Sequence, residues 1–299
     1  MEPSPLKNTA LNDMKIIKDP RQMQEYALAR RVEGKTIALV PTMGYLHQGH
    51  VSLMEHARPA ADLVIVSIFV NPLQFGPRED LDVYPRDFEG DCRTCEQAGV
   101  DVIFAPQMSD IYPPEFQTEV SVSEVTRGLC GAHRPGHFNG VTTVVAKLFN
   151  LALPHKAFFG EKDYQQLVTI KRMVEDLNFP IEIIGVPIVR EDDGLAMSSR
   201  NAYLSPAERE AALSLSHGLF RARELFEQGE KRSPILQQAV REAIREHAGQ
   251  SCQLEYLAIC DPDSLEEIEQ VEKQAVIALA ARVGKTRLID NTLLSRESS

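Results

Sequence analysis

Apolar positions along the chain alternate between short dense runs and longer stretches of mixed, helical spacing. The runs fall at Thr36-Ile37-Ala38-Leu39-Val40, Leu63 to Val70, Val102-Ile103-Phe104, Lys156-Ala157-Phe158-Phe159 and Ile181 to Val189. Near-continuous runs of this kind suit strands covered on both faces. Between them, Arg21 to Arg31, Asp87 to Ala98, Val141 to Leu153 and the stretch from Gly160 to Asn178 predict helices. Strand and helix in alternation predict an α/β unit with a parallel sheet and right-handed crossovers. Ligands on such sheets gather at the carboxyl ends of the strands, where Val40, Val70 and Phe104 each precede a loop that can reach one crevice.

Beyond Ser205 the pattern changes to long charged helices, Pro206 to Gly229 and Ser233 to Ala248. Two strands follow at Leu254 to Ile259 and Ala275 to Ala281, separated by an acidic turn. This is a smaller α+β unit, and the change places a boundary near Val189, giving units of residues 1–188 and 189–299. Residues before about Lys15 read as a loose tail. From Tyr112 to Gly140 the chain is rich in Pro and Gly, and Cys130 to Phe138 within it reads as a substrate-facing or lid loop.

At 299 residues the chain has room for two such units, and its 43% hydrophobic and 25% charged residues are those of an ordinary soluble protein. A formal net charge of −11 argues against a general nucleic-acid or anionic-membrane surface, so any phosphate site must be local. Met1 to Asp19 lacks an apolar signal core, and no run approaches the roughly 20 residues that span a bilayer, so a cytoplasmic protein is expected. The five cysteines form no metal or disulfide pattern, and Cys92 and Cys95 fall inside a predicted helix, so reduced structural thiols are expected.

The stretch that carries most chemistry is Pro41-Thr42-Met43-Gly44-Tyr45-Leu46-His47-Gln48-Gly49-His50, a strand end, a glycine turn and a helix start. His47 and His50 then share one face of the first turn, beside helix N-terminal amides that attract a polyphosphate. Gly44 and Gly49 let backbone approach the phosphates. The interval from His50 to His56 fits neither H-E-x-x-H nor H-x-x-E-H, which argues against a zinc helix. Gly160-Glu161-Lys162-Asp163 puts a mobile cation beside a second helix start. Arg190 to Asn201 is a polar hinge in which Ser198, Ser199 and Arg200 can wrap a triphosphate. We expect Arg190 to Arg200, with Gly194 inside it, to be mobile without nucleotide and ordered with it. Val283-Gly284-Lys285-Thr286 ends like a Walker loop, but Leu279 stands where its first glycine would be.

Taken together, Pro41 to Gly44, His47 to His50, Phe69-Val70-Asn71-Pro72-Leu73-Gln74-Phe75-Gly76, Phe159 to Asp163 and Met197-Ser198-Ser199-Arg200 resemble the pantothenate synthetase family, over about Met14 to Asn291. His-x-Gly-His alone would point only to the larger superfamily of nucleotidylyl transferases and class I aminoacyl-tRNA synthetases. The resemblance implies a Rossmann-type N-terminal domain, a C-terminal lid domain, a cytoplasmic homodimer, ATP with Mg2+, and the ligation of pantoate to β-alanine through a pantoyl adenylate. It further implies that Met43, Gly44, Tyr45, Leu46, His47, Gln48, Gly49 and His50 hold ATP, with His50 as proton donor. Gly160, Glu161, Lys162, Asp163, Val189, Met197, Ser198, Ser199 and Arg200 would complete the nucleotide site. Gln74 and Gln166 would hold pantoate, Gln74 also facing β-alanine, and Asn71 would line the same pocket. Some members carry adjacent acids for magnesium where this chain has Gly90-Asp91-Cys92-Arg93-Thr94, so only Asp91 matches.

Chemistry supports these roles independently. An incoming carboxylate is repelled by an anionic α-phosphate, so the barrier falls through positioned donors and cations, such as His47, His50, Lys162, Ser198, Ser199 and Arg200. Neutral amides such as Gln74 and Gln166 can bond hydroxyls and carboxylate without adding charge. Three other readings share parts of the pattern: a nucleotidylyl transferase that stops at nucleotide transfer, an RNA-dependent synthetase, against which the charge weighs, and a silent nucleotide-binding protein.

Overall fold

A computed structural model describes residues 14–77 and 79–295, and apart from Met14 the expected N-terminal tail lies outside the described residues. Six strands, β1 (Lys15–Ile17), β2 (Ile37–Thr42), β3 (Leu63–Ile68), β4 (Val102–Phe104), β5 (Lys156–Gly160) and β6 (Glu182–Val186), form a wholly parallel sheet in the order β1-β4-β3-β2-β5-β6. Helices α1 (Pro20–Val32), α2 (Gln48–Ala57), α3 (Phe88–Gln97), α4 (Met108–Ile111), α5 (Leu129–His133), α6 (His137–Ala152) and α7 (Tyr164–Asp176) belong to the connections. Both faces of the sheet are buried, and the strand period of two sorts the side chains. Ile37 and Leu39 join Phe104, Phe159 and residues of α1, α6 and α7, whereas Ala38 and Val40 join Leu53, Met54 and Cys95 of α2 and α3.

The expected strands are all present, with differences at their ends, where β2 runs on to Thr42 and β5 to Gly160. β3 and β6 stop at Ile68 and Val186, so residues up to Val70 and Val189 belong to loops that line the cavity below. β1 is a short edge strand that hydrophobic spacing did not signal.

The second unit consists of α8 (Pro206–Glu227), α9 (Ser233–Ala248) and an antiparallel sheet, β7 (Cys252–Cys260), β8 (Gln274–Val283) and β9 (Thr286–Ser295), in that order. α8 begins where Ser205 and Glu208 cap each other's backbone and Pro206 fills the first helical position. Leu215, Leu219, Val240 and Ile244 of the two helices pack on Ile277, Leu279 and Ala281 of the sheet. The opposite face, with Ala258, Val276 and Ala278, packs on Val125, Leu129 and Val168 of the first unit. The sheet is therefore a slab between its own helices and the parallel unit. β9 is a third strand beyond the two expected, and the Walker-like residues are its hairpin turn: Val283 pairs with Thr286, and Gly284 takes φ 58°.

Cys95 is fully buried and its thiol is pushed up by burial to about 12, in keeping with a structural role. Among the described residues no helix is long and apolar enough to cross a membrane.

Candidate active site

From β2 the chain builds β3 and β4 to one side and β5 and β6 to the other, so the strand order reverses between β2 and β5. At the carboxyl end of that switch point lies a cavity of about 220 Å³. Its walls come from the end of β2, the first turn of α2, the loop after β3, the start of α6, the turn after β5 and the hinge at residues 187–200. The loop directly after β4 does not reach it. Ala105, Pro106 and Met108 instead line a separate groove with Asp91.

His47 and His50 use their rings to cap the helix they stand on. His47 is the N-cap, and its Nδ1 accepts from the Gly49 amide at 3.1 Å. His50 Nδ1 accepts in turn from the His47 amide at 3.2 Å. Two amides expected to face phosphate are thus taken by imidazoles. The capping has a chemical consequence: with both Nδ1 atoms accepting, each neutral ring carries its proton on Nε2. Burial, followed by the charge of Lys162, lowers His47 to about 4. Burial, then His47 and Lys162, lowers His50 to about 3. Both rings line the cavity as neutral N–H donors.

The loop before them is held from behind. Asp91 is 3% exposed, and its carboxylate accepts from the amides of Tyr45 at 3.0 Å and Leu46 at 2.7 Å. Gly44 sits at φ 81°, and a Cβ there would come within 2.8 Å of Asp91 Oδ2. Glycine is required by the turn and by this anchor. Asp91 is also the residue matched to the magnesium position. Both oxygens are engaged by backbone, and the side chain is not among those lining the cavity.

On the other wall, Asn71 is 1% exposed and fully engaged. Its Nδ2 donates to Gln74 Oε1 at 3.1 Å and to the Gly140 carbonyl at 3.0 Å, while its Oδ1 accepts from Tyr112 at 2.8 Å. Asn71 therefore orients Gln74, whose own Nε2 lies 3.1 Å from Met43 Sδ. A Cβ at Gly140 would lie 2.3 Å from the Leu73 carbonyl oxygen, so glycine is what lets α6 approach this turn. The Gln74 carbonyl accepts from His137 Nδ1 at 2.8 Å and Arg134 Nη2 at 3.0 Å. Arg134 also pairs with Glu79. Burial, then Arg134, lowers His137 to about 4, so it too is neutral.

Lys162 and Asp163 face the cavity from the turn after β5, with Nζ 3.6 Å from Oδ2. Burial pushes the Asp163 carboxyl up, but Lys162, Arg200, His137 and Arg134 outweigh it and leave it below its ordinary value. Asp163 is the one carboxylate among the lining residues. From the hinge, Arg200 reaches Asp80 with two hydrogen bonds of 2.9 and 2.8 Å, and Ser199 Oγ lies 3.4 Å from the Tyr45 carbonyl.

A model of the family described as pantoate-beta-alanine ligase matches residues 15–293. The chain belongs to the pantoate–β-alanine ligase family. The pantothenate synthetase of Geobacter sulfurreducens is 55% identical over 284 residues, covering 95% of this chain and all of that one. The chain also resembles a crystal structure of the enzyme from Thermus thermophilus, at 46% identity and a TM-score of 0.90, covering 95% of this chain and 100% of that chain. A pantoate-beta-alanine ligase of Francisella tularensis, crystallised with beta-gamma ATP and β-alanine, aligns at 34% identity and a TM-score of 0.76 over 96% of this chain and 99% of its own.

Of the residues the resemblance to this ligase family implies, the cavity brings together Met43, His47, Gly49, His50, Asn71, Gln74, Gly160, Lys162, Asp163, Gln166, Val189, Met197, Ser198, Ser199 and Arg200. Gly44, Tyr45, Leu46, Gln48 and Glu161 are not among its lining residues. Sequence reasoning did not single out Arg134, His137 and Tyr84, which line it as well. Arg134 and His137 belong to the stretch Cys130 to Phe138, and both line the cavity. Both tie that stretch to the Gln74 loop.

Proposed function

We propose that this chain condenses pantoate with β-alanine at the expense of ATP, in two steps within the one cavity. A pantoate carboxylate oxygen attacks the α-phosphorus, the bond to the bridging oxygen breaks, and pyrophosphate leaves. The amine of β-alanine then attacks the acyl carbon of the pantoyl adenylate, releasing AMP and losing a proton as the amide forms. The observation that carries this reading is the meeting, at the switch point, of two neutral Nε2–H donors and Lys162 with the amides of Gln74 and Gln166. The ligands named for the Francisella relative, beta-gamma ATP and β-alanine, support the same substrates.

In this reading His47, His50, Lys162, Ser198, Ser199 and Arg200 donate to ATP's phosphates, and their value lies in stabilising charge that grows as pyrophosphate departs. Gln74 and Gln166 hold pantoate in line with the phosphorus. Arg134 and His137 fix the Gln74 backbone, and Asn71 its side chain. Magnesium would be held by Asp163 and the nucleotide's own oxygens, a donor set that suits an ion that keeps most of its waters. It would supply neutralising charge to the phosphates.

Residues 1–188 would bind nucleotide and pantoate, and residues 189–299 would close over them. The chain would act as a cytoplasmic homodimer with two-fold symmetry. The test of function is pantoate-dependent exchange of pyrophosphate into ATP, followed by β-alanine-dependent release of AMP. Exchange without pantoate, or no AMP on adding β-alanine, would refute it.

A further inference from the structure

The turn that presents Lys162 is held by the far unit as well as by the strand it follows. Asn291, in the middle of β9, is 4% exposed, and its Nδ2 donates at 2.9 Å both to the Glu161 carbonyl and to the Lys162 carbonyl. An amide nitrogen has two hydrogens, so each carbonyl takes one and the side chain has no donor left for a ligand. The neighbouring Asp290 is 3% exposed and grips the start of the hinge, accepting from Arg190 Nη1 at 2.7 Å and Nη2 at 2.9 Å. Arg190 Nη1 donates also to the Gly194 carbonyl at 3.1 Å. Two successive residues of one strand thus hold both the phosphate-facing turn and the base of the loop that carries Ser198 to Arg200.

We propose that Asn291 is a positioning residue for adenylation, which sets Lys162 against the leaving pyrophosphate by clamping the two carbonyls of its turn. The proposal rests on the reading of Lys162 given above. A buried polar pair in the interior of a strand, between Ile289 and Thr292, needs a use, since each buried amide hydrogen must find a partner. Here the partners are backbone oxygens flanking the one lysine that lines the cavity among the described residues. A misplacement of the reacting groups by about 1 Å costs on the order of 10²-fold in rate.

The test is a double-mutant cycle read in each half-reaction. Asn291→Ala is expected to slow pantoate-dependent pyrophosphate exchange by about 10- to 100-fold, the range that loss of positioning produces. Conversion of supplied pantoyl adenylate with β-alanine should change by less than about threefold, because pyrophosphate has already left. In a Lys162→Ala background the same substitution should add almost nothing, since residues acting through one group are non-additive. Should Asn291→Ala not fold, Asn291→Ser, which keeps one donor, should show the same split with a smaller loss. An equal loss in both half-reactions, or an undiminished loss in the Lys162→Ala background, overturns the proposal. If Lys162→Ala by itself slows the two half-reactions equally, the assignment of Lys162 fails instead, and the cycle separates that outcome from the first.

Discussion

The histidines show how one residue can serve fold and chemistry through its two ring nitrogens. Nδ1 of His47 and of His50 is spent on capping α2, and the proton is thereby assigned to the nitrogen left for the cavity. Protonation would require these rings to charge in a buried site beside Lys162, which is why both stand far below 6.5. Pyrophosphate exchange should therefore show no step near pH 6.5, and a step centred there would mean that a cavity histidine titrates normally. Stability carries the opposite signature. The unfolded chain binds protons at these rings below about 6.5 while the folded chain does not, so their contribution is complete above 6.5 and is lost as the pH falls towards 4. Denaturant titrations from pH 7 to 4.5 should show this loss, and His137→Asn should flatten it. For Lys162 the expectation is kinetic: Lys162→Ala should slow exchange by about 10²–10³, the loss typical of one transition-state donor, and leave conversion of supplied adenylate far less affected. Single-turnover measurement of each half-reaction decides it.

At the level of elements, the loop from Gly44 to His50 is the part whose working differs most from its sequence pattern. Strand, glycine turn and paired histidines were legible, because each has a local signature. The destination of the amides was not, because the acceptor for Tyr45 and Leu46 lies on α3, 46 and 45 residues away. Asp91 as an anchor predicts that Asp91→Ala lowers stability by about 1–3 kcal/mol, the cost of leaving buried donors unpaired, and weakens ATP binding. The magnesium concentration that gives half-maximal activity should stay the same in the residual enzyme, and a large rise in it would assign Asp91 the metal role. β1 and β9 escaped notice for different reasons. β1 has three residues at a sheet edge, too few for a period to show. In β9 the central Asp290-Asn291-Thr292 looks like the end of a strand, yet all three are buried. Their burial depends on Arg190 and on the turn at Glu161, partners that no spacing within β9 can reveal.

On the scale of the whole molecule, the hinge divides into two parts with different attachments. Residues 190–196 are tied to the second unit. Arg190 pairs with Asp290, and Arg209 of α8 pairs with Glu191 and Asp193. Residues 199–203 also reach the first unit, through Ser199 to the Tyr45 carbonyl, Arg200 to Asp80 and Tyr203 to the Val83 carbonyl, while Asn201 ties them back to Glu191 and the Ala196 carbonyl. These attachments give a finer prediction than one hinge that orders as a whole around nucleotide. The Arg190–Asp290 pair is nearly dry, and removing one partner of such a pair costs about 3–5 kcal/mol, so residues 190–196 should move with the second unit as a rigid piece. The contacts of residues 199–203 to the first unit are partly exposed, and these residues also line the cavity through Ser199 and Arg200. Opening of the two units should break that set first. Hydrogen exchange followed by mass spectrometry should then show added protection with ATP in residues 198–203 and little change in residues 190–196. Equal gains in both segments would mean that the whole hinge is loose without nucleotide, and no gain in either would mean that closure does not pass through it.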